Sequence, residues 1–177
     1  ADRRLLIYNG LQTAVRNAEL ELYVQPIVDA QSGVYVSAEA LLRWRSRELG
    51  PIPPDEFIPL AEETGLIGMI GNWVIEEACR VQRAWLDRGI DLHLSVNVSA
   101  RQLLEPGFEY YFREACRVAG VPPEKIGVEI TEGVLLGDVE SACSVLSSLA
   151  DSGVTVSVDD FGVGYSSLNY LRKLPLT

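Results

Sequence analysis

The sequence predicts an α/β fold built on a mainly parallel sheet. Three observations point there. From Leu92 onward, strand-like and helix-like segments alternate at about 30 residues per unit, the length of a βαβ repeat. Within the strand-like segments apolar and polar residues alternate with period two. Gly89, Gly120 and Gly153 each close a helical segment shortly before the next strand. The 177 residues amount to about one domain, which is enough chain to bury a core without disulfide or metal staples.

The elements follow in order. Leu5, Leu6, Leu11, Ala14, Val15 and Ala18 fall at helical spacing, so Leu5–Leu20 reads as a lead-in helix, weakened at Asn9-Gly10. Glu21–Asp29 and Val34–Trp44 read as strands joined at Gln31-Ser32-Gly33, a connection short enough for an antiparallel hairpin. Pro51, Pro53 and Pro54 mark a loop. Pro54-Asp55 then opens a short helix, Glu56–Glu63, which Gly65 ends. Leu66–Arg88 is a long amphipathic helix in which Trp73 and Trp85 belong to the covering core. The strand Leu92–Val98, helix Glu109–Ala119, strand Ile126–Thr131, helix Val139–Asp151, strand Val154–Val158 and helix Ser166–Leu174 complete the chain. Five strands are counted. A doubly wound sheet could close with that number, whereas a complete (β/α)8 barrel typically needs eight strands and about 250 residues.

Composition narrows the function. The chain carries 25 acidic and 15 basic residues, a formal net charge of −10. That balance excludes general DNA or RNA binding, which needs clustered Lys and Arg. It also excludes a helix held to anionic lipid. No run of about 18 apolar residues occurs, so no segment here reads as a membrane span. Cys79, Cys116 and Cys143 all fall in helical segments and form no CxxC pair, which suits buried thiols in a reducing compartment.

Side-chain parity singles out a site. In Leu92–Asn97 the leucines and Val96 take one face, and His93, Ser95 and Asn97 the other. In Val154–Asp159 the valines oppose Thr155, Ser157 and Asp159. Val128 and Ile130 bracket Glu129, and Glu39 alternates with Ala38 and Ala40. Glu39, Asn97, Glu129 and Asp159 thus share a polar face at or near the carboxyl ends of four strands, with Asp160 following at once. Ligands of α/β proteins bind at those ends. Converging carboxylates repel one another and call for a counter-charge. Hard oxygen donors suit Mg²⁺ or Mn²⁺, and a single His with helical Cys argues against zinc. Adjacent Asp159-Asp160 suits a pair of ions about 4 Å apart, which could activate water and stabilise the leaving oxygen of a phosphodiester. Arg43 offers a planar guanidinium for phosphate in an otherwise acidic pocket, and His93 reads as a satisfied interior residue.

Six blocks carry a family resemblance: Gln25-Pro26-Ile27-Val28; Glu39-Ala40-Leu41-Leu42-Arg43-Trp44; Pro54-Asp55-Glu56-Phe57-Ile58-Pro59-Leu60-Ala61-Glu62; Ser95-Val96-Asn97-Val98-Ser99; Glu129-Ile130-Thr131-Glu132; and Asp159-Asp160-Phe161-Gly162-Val163-Gly164-Tyr165-Ser166-Ser167-Leu168. In this order they resemble the EAL domain, the cyclic di-GMP phosphodiesterases of bacterial signalling proteins. The resemblance implies a (β/α)8 TIM-type barrel with an antiparallel first hairpin, incomplete in the residues given. It assigns 1–19 as a lead-in from an upstream domain, such as a sensor or GGDEF domain, and 20–177 as the EAL domain, with three further strand–helix units and a Lys that assists the attacking water expected beyond Thr177. It implies two Mg²⁺ or Mn²⁺ ions and hydrolysis of cyclic di-GMP to linear pGpG. Residue by residue, Glu39, Asn97, Glu129 and Asp159 match metal ligands and Asp160 a ligand of the second ion. Gln25 and Arg43 match contacts to the dinucleotide. Gly162–Ser167 matches a loop that couples metal occupancy to homodimer contacts, with Val163 where the family has Thr. A catalytically silent cyclic di-GMP receptor or interaction module is the alternative function, and the 177 residues alone are expected to show no turnover.

Overall fold

The structure is a computed structural model that describes residues 2–131, 133, 137–159 and 174–176. In chain order its elements are α1 (Arg3–Ala14), β1 (Leu20–Val28), β2 (Tyr35–Ser46), β3 (Gly50–Ile52), α2 (Pro54–Thr64), α3 (Ile67–Asp87), β4 (His93–Val98), α4 (Ala100–Leu103), α5 (Phe108–Ala119), a single 3₁₀ turn at Pro123–Lys125, β5 (Ile126–Thr131), α6 (Val139–Asp151) and β6 (Thr155–Asp159). The expected helix Ser166–Leu174 lies outside the described residues except for Leu174.

The strands make one sheet in the order β1-β2-β4-β5-β6, with β3 paired to the far end of β2. The hairpin β1–β2 is antiparallel, and β2–β4, β4–β5 and β5–β6 are parallel. Order in the sheet therefore follows order in the chain without a reversal. A doubly wound sheet reverses at its switch point, so this is the singly wound arc of a TIM-type barrel, incomplete over these residues. β3 makes a sixth strand where the prolines suggested loop only. Its Pro51 sits opposite Arg45, and an edge strand tolerates a residue with no N–H to donate.

One face of the sheet is apolar and lies under helices. Ala38, Ala40, Leu94, Val96, Val98, Val128, Ile130 and Val156 form one core with Val74, Ile75, Ala78 and Cys79 of α3, Phe108, Phe112 and Cys116 of α5, and Ala142, Leu146 and Leu149 of α6. Trp73 and Trp85 pack against it as expected. The apolar alternation does not extend to the tip of the hairpin, where Val34 and Val36 are exposed. They precede the stretch of β2 that pairs with β4, Ser37–Ala40, so no helix covers them.

A second core joins α1, α2 and β3 around Trp44. The Trp44 ring meets Phe57 edge-on at 5.5 Å, and its indole N–H donates to Glu19 Oε2 at 3.1 Å. Here α1 departs from the sequence reading. It runs unbroken through Asn9-Gly10, and its buried stripe is Ile7, Leu11 and Ala14 while Leu5 faces solvent. Gly10 is small because of its neighbour: a Cβ there would stand 2.9 Å from Trp44 Cζ2. The helical cost of a glycine is offset by this close approach. Exposed ion pairs Arg3–Glu56 and Arg4–Glu63 tie α1 to α2.

The opposite face of the sheet is polar. At its amino-terminal end His93 Nε2 and Thr155 Oγ1 lie 2.7 Å apart. β4 and β6 are not neighbours. The two side chains meet across β5 at Gly127, whose register partners are Ser95 and Thr155. A methyl group on Gly127 would overlap both the His93 ring and Thr155 Oγ1. Burial, with nearby Lys125 adding to it, holds His93 below its ordinary pKa and so neutral near pH 7, the form that serves a hydroxyl partner. Gly127→Ala is expected to lower stability by about 1–3 kcal/mol, the usual cost of overpacking, as read by urea denaturation. An unchanged midpoint would show that this contact is slack.

Candidate functional site

The pleat dictates which side chains share the polar face. In β4 they are His93, Ser95 and Asn97, in β5 Gly127, Glu129 and Thr131, and in β6 Thr155, Ser157 and Asp159. Register sets their level. Glu39 stands beside Ser95, Asn97 beside Glu129, and Thr131 beside Asp159. On the hairpin, Gln25 stands opposite Glu39. Gln25, Glu39, Asn97, Glu129 and Asp159 therefore lie on one surface. Asn97, Glu129 and Asp159 are within two residues of their strand ends, as the sequence suggested. Glu39 is not. It is the fifth residue of a twelve-residue strand, because β2 continues past the parallel sheet to pair with β3. Its position at the rim comes from the end of pairing with β4 at Ala40. Asp160 and Gly162–Ser167 lie outside the described residues.

Two hydrogen bonds organise the acids, and both originate on β4. Asn97 Nδ2 donates to Glu39 Oε1 at 2.7 Å, and Ser95 Oγ donates to Glu129 Oε1 at 2.6 Å. β4 runs between the strands bearing these two acids and supplies one donor to each. Burial pushes the Glu129 carboxyl above the usual carboxylate range. The Ser95 hydroxyl opposes that shift, while the charges of Glu39 and Asp159 add to it. Three carboxylates thus share one electrostatic field. Among the described residues, no three Asp, Glu, His or Cys side chains form a cation site unaided. The oxygen set on this face also includes the Asn97 amide.

Arg43 lies farther along the same face of β2. Its guanidinium carbon sits 5.8 Å from the centre of the Tyr23 ring, and Nη1 donates to the Leu42 carbonyl at 2.9 Å. A cation over an aromatic face is held in place without losing its charge. Arg43, Asn97 and Asp159 open onto a pocket of about 320 Å³. Its far wall is Ile58 and Glu62 of α2 and Ile67, Ile70 and Val74 of α3, with Ser99 and Gln102 between. Burial raises the Glu62 pKa, and the Arg101 charge opposes it. Arg101 Nη1 also donates to the Glu62 carbonyl at 2.5 Å, closing the end of α2. Another concavity of about 430 Å³, between α3 and α5, is lined by Glu76, Tyr111 and Val118 among others and contains none of the strand-end acids.

The EAL domain model matches residues 9–177. The chain belongs to the EAL domain family. Among curated relatives, the bifunctional diguanylate cyclase/cyclic di-GMP phosphodiesterase MucR of Pseudomonas aeruginosa is 42% identical over 176 residues, which is 99% of this chain and 26% of MucR. The cyclic di-GMP phosphodiesterase PdeR of Escherichia coli is 40% identical over 172 residues, 97% of this chain and 26% of PdeR. The chain thus spans about a quarter of the length of these relatives. Among solved structures, the MucR phosphodiesterase in complex with c-di-GMP superimposes with a TM-score of 0.91 at 42% identity, covering 97% of this chain and 70% of that one. The EAL enzyme Bd1971 with cAMP and cyclic di-GMP bound gives a TM-score of 0.89 at 29% identity, covering 99% of this chain and 49% of that one. No helix among the described residues is long and apolar enough to cross a membrane.

The structure of this EAL domain adds three polar-face or pocket residues that the sequence reading left without a role at the site: Tyr23 beneath Arg43, Ser95 against Glu129, and Gln102 in the pocket. Tyr23 was within reach of the parity argument, since it is two residues from Gln25. Ser95 was placed on the correct face, but its partner depends on strand order. Nothing in the local pattern around Gln102 signals a turn into the pocket.

The raised Glu129 pKa has a consequence for stability. A carboxyl that the fold prefers protonated contributes stability below its unfolded pKa, and loses that contribution as pH rises through the raised folded value. At neutral pH the metal-free protein therefore pays for an ionised Glu129. Glu129→Gln is expected to raise the melting temperature of metal-free protein by a few degrees near pH 7. The gain should shrink as pH falls through the raised folded value, where Glu129 itself takes up a proton. Calorimetry across that range checks this, and equal melting temperatures at pH 7 would contradict it.

Proposed function

We propose that this chain is the core of a metal-dependent phosphodiesterase that hydrolyses cyclic di-GMP to linear pGpG. The observation that carries the reading is the shared polar face, where Glu39, Glu129 and Asp159 meet the Asn97 amide around the strand ends. Relatives named cyclic di-GMP phosphodiesterases, and a neighbour solved with c-di-GMP, support it.

The donor set fits a hard divalent cation. All its groups are oxygens, and the mutual effect of Glu39 and Asp159 on Glu129 leaves an excess of negative charge on the face. Glu39, Asn97, Glu129 and Asp159 would hold one ion of a Mg²⁺ or Mn²⁺ pair, with Asp160 serving the second. When bound, such ions supply a water nucleophile at neutral pH and stabilisation of the charge on a phosphodiester. The chain's own part is placement. Asn97 and Ser95 fix one oxygen of Glu39 and Glu129 respectively. Arg43, seated on Tyr23, presents its guanidinium to a phosphate oxygen, and Gln25, across from Glu39, contacts the dinucleotide. The pocket of Ile58, Ile67, Ile70 and Val74 offers apolar walls to a planar base.

Around this core we place a cytoplasmic signalling protein. Residues 1–19 lead in from an upstream sensor or cyclase domain, in keeping with the paired activities in MucR's name, and the protein pairs as a homodimer.

Incubating the full-length protein with cyclic di-GMP and Mn²⁺, followed by chromatography, tests the reading. Linear pGpG is expected, and Glu39→Ala should abolish it. Arg43→Ala should raise KM about ten- to hundredfold, the worth of a charged hydrogen bond. Tight binding with no product would favour the silent receptor. Neither binding nor product would sink both.

A further inference from the structure

The two donors on β4 do different work. Asn97 is itself one of the oxygen-bearing groups of the proposed cation site. Ser95 is not: it sits one pleat deeper, 4% exposed, between Glu39 on one neighbouring strand and the strand of Glu129 on the other. A buried hydroxyl owns one proton, and geometry shows where it goes. Ser95 Oγ is 2.6 Å from Glu129 Oε1 but 3.4 Å from the Ala38 carbonyl oxygen. The shorter distance is in the range of a charge-assisted O–H···O⁻ bond. Among the described residues this is the one hydrogen bond on the Glu129 carboxylate. One oxygen is thus anchored to β4, and the other keeps its lone pairs for a further partner.

We infer that Ser95 is a positioning residue for the cation site, fixing the rotation of the Glu129 carboxylate so that a single defined oxygen is offered to the ion. This rests on the metal-site reading above. Outer partners that orient a ligating carboxylate are worth about 10–100-fold in metal affinity. A residue that merely fills space would affect folding and leave affinity alone.

The test is Mn²⁺ titration of metal-stripped full-length protein, followed by electron paramagnetic resonance, with no substrate present. Ser95→Ala is expected to weaken Mn²⁺ binding about tenfold or more. Ser95→Thr, which keeps the hydroxyl, should stay within about threefold of wild type. Circular dichroism melts of the same samples show whether each variant is folded. If Glu129→Ala loses Mn²⁺ while folded Ser95→Ala binds it as wild type does, the orienting role of Ser95 is overturned and the metal site stands. If wild type fails to bind Mn²⁺, or Glu129→Ala binds it undiminished, the metal reading itself falls. Should Ser95→Ala fail to fold, Ser95→Thr decides: loss of affinity in a folded hydroxyl-bearing variant also overturns the inference.

Discussion

Mutual repulsion among Glu39, Glu129 and Asp159 is the constraint around which this molecule is arranged. A pleated strand must send alternate side chains to opposite sides. Once the valines and leucines of β4, β5 and β6 are committed to the helices, the acids have no other direction to take. The sheet then holds like charges on one face, and burial of Glu129 makes the conflict worse. Among the described residues, Glu39 and Glu129 each receive a neutral donor. Ser95 and Asn97 each hold one carboxylate oxygen, while Arg43 is kept farther along β2 on Tyr23. The charge on Glu39 and Glu129 is therefore ordered by partners that carry none of their own.

Much of this was legible in the residues. Period-two alternation named the polar face correctly from His93 to Asp159, because it depends only on strand geometry. Helix ends at Gly65 and Gly120 were equally readable, since caps are local chemistry. Features that depend on a distant neighbour were not. Asn9-Gly10 looks like a break until Trp44 is seen against it. Pro51 looks like loop until Arg45 is opposite. Glu39 reads as a strand end, and only the extension of β2 toward β3 shows that it is mid-strand. The choice between a doubly wound sheet and a barrel arc likewise required strand order, which no single segment encodes.

Adjacent residues of β2 serve two separate parts of the molecule. Trp44 points into the core of α1, α2 and β3, where Glu19 and Phe57 hold it. Arg43 points to the polar face. Because the pleat allows neither to turn without the other, packing behind the sheet sets the height of the guanidinium in front. The lead-in helix, though remote from the acids, is thus part of what fixes their surroundings.

The meeting of His93 and Thr155 over Gly127 ties β4 to β6 across the strand between them. The three strands are thereby clamped at the end away from the acids, so a displacement of one is carried to the other two as a common shift.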